Sequence, residues 1–61
     1  MAGLSEKELS GIHDIMNAEQ LLVKKFQLLA GMTSDNQIKK RLEGIAGVHQ
    51  EHFNTLYQQL N

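Results

Sequence analysis

One cluster of turn-type residues, Gly31-Met32-Thr33-Ser34-Asp35-Asn36, interrupts a chain that contains no proline. Gly, Ser, Asp and Asn punctuate a sequence because they accept turn geometry or hydrogen-bond their own backbone. The chain is thereby divided into two nearly equal halves. The first opens with Ser5-Glu6-Lys7-Glu8, a capping box in which Ser5 caps and Glu8 reaches back, with Leu4 and Leu9 at the two staple positions around it. Gly31 stands where a helix C-terminus favours positive φ, so helix one is expected over about residues 6–30. A loop follows over about 31–35. Ser34 or Asp35 caps the next helix, with Gln37 completing a second box if Ser34 is the cap, and helix two runs over about 36–59. Two helices of this length joined by a short loop lie antiparallel. Residues 1–61 therefore read as a single all-α domain, an antiparallel two-helix hairpin.

Apolar residues on both halves recur at alternating spacings of three and four, the signature of an amphipathic helix. On helix one the seam is Leu9, Ile12, Met16, Glu19, Val23, Phe26 and Ala30, widened by Ile15, Leu22 and Leu29. On helix two it is Ile38, Leu42, Ile45, His49, His52 and Leu56, with Ala46, Phe53 and Leu60 beside it. Because both helices rise equally per residue, facing positions should sum to roughly 66. Glu19 then lies within about a turn of both His49 and His52. Three polar side chains that each break an apolar seam are expected at one level.

A chain of 61 residues is at the low end of what one autonomous core supports, and such chains usually carry an additional staple. It has no cysteine, which removes disulfides and thiolate metal sites and gives no sign of an oxidising compartment. Self-association is the remaining staple, since a lone hairpin leaves about half of both apolar stripes in water. Two hairpins back to back close into a four-helix bundle. Two-fold symmetry would place two copies each of Glu19, His49 and His52 at its centre. Six Lys and Arg against seven Asp and Glu leave a net charge of -1, so no strong field recruits nucleic acid or an anionic lipid surface. The N-terminal segment lacks the basic start and apolar run of a signal peptide, and no apolar stretch approaches the length of a membrane span. A cytoplasmic location is expected.

The centre has two readings. A buried carboxylate needs a partner. His49 and His52, at i and i+3, project from one helix face, and with Glu19 they form a carboxylate and imidazole set suited to Zn, Fe, Mn, Ni or Cu. The same groups also make a metal-free network in which Glu19 accepts hydrogen bonds from both histidines and fixes register and oligomeric state. No catalytic set is discernible, so the chain reads as non-enzymatic. His49-Gln50-Glu51-His52 is not a zinc-protease motif, which needs His-Glu-x-x-His. Glu51 falls on the outer face. His13, beside the seam near the level of Phe53, is either a half-exposed histidine or an accessory ligand.

Lys24-Lys25 and Lys39-Lys40-Arg41 flank the loop end without interleaved aromatics, so they read as solvated faces, with an acidic partner surface as the alternative. Leu21 and Leu28 occupy the side of helix one opposite the seam, with Ala18 and Gly11 nearby, and Gly44 and Gly47 do the same on helix two. Outward apolar and small residues are either scattered surface positions or a second contact surface for higher assembly.

The segment Ile45-Ala46-Gly47-Val48-His49-Gln50-Glu51-His52-Phe53-Asn54-Thr55-Leu56 resembles the second-helix signature of ferritin-like, rubrerythrin-like proteins, in which a Glu-x-x-His pair binds iron. Glu19, followed seven residues later by Phe26, is similar to the first metal-binding helix of that superfamily. Over nearly the whole chain the pattern resembles small spore-coat proteins of the coat F type, with a helix, a Ser-Asp-Asn turn and His-Gln-x-His-Phe near the C-terminus. The resemblance implies a ferritin-like homodimer that acts as a structural component. It also implies other coat proteins as partners and deposition in the spore coat. It assigns Glu19 the first-helix carboxylate role and His52 the histidine role. His49 departs from the pattern, standing where di-iron proteins carry a bridging Glu. One carboxylate per hairpin instead of two disfavours a pair of iron ions, shifts preference toward Zn, Ni or Cu, and argues against oxygen chemistry or iron storage.

Overall fold

In a computed structural model, which describes residues 3–60, the chain forms helix α1 (Glu6–Met32) and helix α2 (Asn36–Gln58). Met1, Ala2 and Asn61 lie outside the described residues, so the expected domain over 1–61 extends past them at both ends. The start of α1 is held by the capping box. The Glu8 amide donates to Ser5 Oγ at 3.1 Å and the Ser5 amide donates to Glu8 Oε1 at 3.2 Å, which satisfies helix-end donors reciprocally.

The end of α1 differs from the expectation at Gly31. The helix runs through Gly31 to Met32 and leaves by Thr33 in an extended conformation, φ -92 and ψ 141. Among the described residues the only positive φ belongs to Gly3. A β-branched residue leaving in the β region needs no left-handed step. The Thr33 hydroxyl, accepting from the Asp35 amide at 3.2 Å, closes the short connection. Of the two candidate caps for α2, the chain uses Asp35, whose Oδ1 accepts from the amides of Gln37 at 2.9 Å and Ile38 at 3.1 Å. A carboxylate at this end also meets the positive pole of the helix dipole, which a serine hydroxyl does not exploit.

The two helices contact each other along most of their length. Met16, Glu19, Val23 and Ala30 of α1 and Ala46 of α2 are buried, bordered by half-buried Ile12, Phe26, Leu42, His49, Phe53 and Leu56. On α2 the contact line is rotated from the expected seam. Ala46 and Phe53 face α1, whereas Ile38, Ile45 and His52 are exposed. The small side chains of Ala30 and Ala46 let the backbones approach on this line, and one helix can cover only one strip of its neighbour.

That rotation gives the hairpin two unlike broad faces. On one, Leu29 lies level with Ile38, Leu22 with Ile45 and Ile15 with His52; all but the half-buried Leu22 are exposed. On the other, Gln27, Glu43 and Gln50 border an open groove floored by Val23, Ala46 and Gly47. The molecule is an elongated slab of 47 × 14 × 10 Å whose radius of gyration is 14.4 Å. A compact chain of this length would have a radius of about 10–11 Å. No described side chain of any size is completely buried.

Candidate functional site

Glu19, His49 and His52 meet near the middle of the hairpin. Glu19 is directed across the contact line because it occupies a seam position between Met16 and Val23. His49 lies on the facing strip of α2, and His52, three residues later, stands on its apolar flank. His49 Nδ1 is 2.6 Å from Glu19 Oε1, and His52 Nδ1 is 2.9 Å from Glu19 Oε2. Each carboxylate oxygen is therefore engaged by a different imidazole. A carboxylate only accepts, so in the hydrogen-bonded form both rings present Nδ1–H to it, and an ion held by the same atoms would take the place of those protons.

The burial is graded. The Glu19 side chain is 11% exposed, His49 22% and His52 56%, so the cluster is sealed on the helix–helix side and open on the apolar broad face. Phe26 stacks on the His49 ring, with centroids 5.9 Å apart and planes 11° from parallel, and His52 meets His49 edge-on at 5.7 Å. These ring contacts hold His49 in one orientation against Glu19. The Glu19 carboxyl lies below its ordinary pKa, first because of the His49 hydrogen bond. Desolvation opposes that shift, and the charges of His52 and His49 and the His52 hydrogen bond assist it. The cluster thus favours an ionised carboxylate.

The chemistry of this donor set fits a borderline divalent cation. One oxygen and two nitrogen ligand atoms lie within 4.8 Å of one another, and the carboxylate supplies negative charge where an ion would sit. The cluster is equally complete as a hydrogen-bonded network, since no buried side-chain N or O among the described residues lacks a partner. His13 is exposed and stands outside the group. Glu51 is exposed on the outer side of α2, and the Lys24-Lys25 and Lys39-Lys40-Arg41 runs are solvated.

The packing role of Phe26 against an imidazole is absent from the sequence reading, which treated it as seam filler and an aromatic of the family pattern. Its signal was available, because Phe26 shares the seam with Glu19, and side chains of antiparallel helices lean toward their own N-termini, which tilts Phe26 and His49 toward each other. Among the described residues no helix is long and apolar enough to cross a membrane. Comparison with protein-family models, curated proteins and solved structures finds no match to this chain.

Proposed function

We propose that this chain is a non-enzymatic assembly module, half of a ferritin-like four-helix bundle that two copies complete. In this role it acts as a structural component like the coat F type spore-coat proteins it resembles. The observation that carries this reading is the asymmetry of the two broad faces. Ile15, Leu29, Ile38 and Ile45 are exposed together with the half-buried Leu22 as a continuous run on one side. The opposite side breaks its apolar groove floor of Val23 and Ala46 with Gln27, Glu43 and Gln50 and, among the described residues, exposes only Leu9 and Tyr57 as large apolar side chains. A contiguous apolar face of this extent marks an association surface, and an isologous contact lets the same patch serve both copies. In that arrangement Glu19 and His49 point toward the bundle axis and His52 toward the second hairpin.

Sedimentation velocity over a wide concentration range tests this. The chain should sediment as a dimer at the low end of the range, with no monomer appearing as concentration rises, and Leu22→Glu with Ile45→Glu should shift it to monomer with loss of helicity. A helical monomer at every concentration overturns the reading.

A second reading, metal binding, is favoured by the convergence of Glu19, His49 and His52 on one point. These residues would hold Zn, Ni, Cu, Fe or Mn, and the ion would supply a cross-link between the two helices. Elemental analysis of purified protein before and after chelation decides it. Stoichiometric metal that disappears in His49→Ala supports binding, and metal-free protein of unchanged melting temperature with and without chelator refutes it.

A further inference from the structure

Three exposed apolar residues of α1 outside such a dimer contact form a second surface, apart from Leu9, Val48 and Tyr57, which are exposed elsewhere. Leu21, Leu28 and Met32 are 68%, 66% and 72% exposed. They lie about 140–180° around α1 from Glu19 and about 80–120° from Leu22, so they face away from the hairpin partner and flank the proposed dimer contact. Lys24 and Lys25 stand between the two leucines. On α2 the corresponding outer face carries Gly44 and Gly47, about 140–160° from His49, with the acidic residues Glu43 and Glu51 on either side.

Neither glycine is explained within the hairpin. Both have ordinary helical φ, and a Cβ at either position would meet nothing within 4 Å. Glycine in a helix interior is unfavourable unless another backbone or side chain must come close. The ridge and one end of the gap are also opposite in charge: the leucine pair straddles Lys24 and Lys25, and Glu51 lies one turn beyond Gly47, whereas at the other end Glu43 is neighboured by Lys39, Lys40 and Arg41.

We infer that one leucine of the Leu21–Leu28 ridge of one dimer seats over the Gly44–Gly47 gap of the next, joining dimers into an extended assembly. The occupant is a second copy of this chain, and the inference rests on the dimer reading above. Ridge-on-ridge packing is disfavoured, because a two-fold axis between Leu21 and Leu28 brings Lys24 and Lys25 against their own copies. In the ridge-in-gap contact, seating one leucine over the glycines brings the lysines within about three residues' rise of Glu51 or Glu43. The arrangement near Glu51 is preferred, since the Glu43 end also carries Lys39, Lys40 and Arg41. Such a contact uses different patches on its two sides, so each contact leaves a ridge and a gap free to propagate, and each dimer offers two ridges and two gaps.

Light scattering and sedimentation of the full chain against concentration test the proposal. The wild type should pass from dimer to larger species. Leu21→Glu with Leu28→Glu, or Gly44→Leu with Gly47→Leu, should stop at the dimer with unchanged circular dichroism. Lys24→Glu with Lys25→Glu should require at least about tenfold more protein to associate, and adding Glu43→Lys and Glu51→Lys to the same chain should restore association. A wild type that stays dimeric to its solubility limit overturns this contact alone. So does a ridge variant that associates like the wild type, or a charge swap that fails to restore. A ridge variant that is monomeric overturns the dimer reading, and this inference with it.

Discussion

Replacing Gly31 by alanine separates two accounts of how α1 ends, because they predict opposite signs. If Gly31 were a left-handed cap, alanine would be forced to positive φ at a cost of about 1–2 kcal/mol. In the structure Gly31 is the penultimate residue of α1, has no positive φ, is exposed, and offers a Cβ open space. Alanine then restricts the unfolded chain without native strain and should stabilise by about 0.5–1 kcal/mol, toward the lower figure because the last turn of a helix frays. The two accounts differ by about 2 kcal/mol, which for a domain of this size is a separation of roughly 8–16 °C in melting temperature. Thermal denaturation followed at 222 nm, at matched protein concentration because any association raises apparent stability, measures the shift. Gly31→Ala should melt about 2–8 °C above the wild type. A lower melting temperature would refute the assignment of Gly31 to the helix and restore the left-handed cap.

Asp35→Ala removes a carboxylate oxygen that accepts from both Gln37 and Ile38 and should cost about 1 kcal/mol in urea denaturation, whereas Ser34→Ala should be close to neutral. Equal losses would mean that Ser34 shares the cap. The lowered pKa of Glu19 sets the sign of an acid effect: its stabilising contribution is present above the ordinary glutamate value and is lost as pH falls through the depressed folded value. Urea midpoints measured between about pH 6 and pH 3 should therefore fall more steeply for the wild type than for Glu19→Gln, and parallel curves would show that the carboxylate contributes nothing.

The sequence alone determines the existence and type of both helices, the capping box at Ser5 and Glu8, the position of the reversal, and the level at which Glu19 meets the histidines. These are consequences of local chemistry and of a constant rise per residue, so periodicity and facing positions carry them without knowledge of packing. The exit from α1 was misread at Gly31 because glycine is permissive: its presence allows positive φ without requiring it, and the Thr33–Asp35 turn made that conformation unnecessary. Only the tertiary structure decided which strip of α2 faces α1. A seam three residues wide is compatible with several rotations, and the choice of Ala46 and Phe53 over Ile45 and His52 depends on how closely two particular surfaces approach. That rotation seals Glu19, leaves His52 more than half exposed and gathers the remaining apolar side chains on one broad face. The site's members were legible as residue types that break a pattern, while its openness toward one side is a property of how the two helices turn against each other.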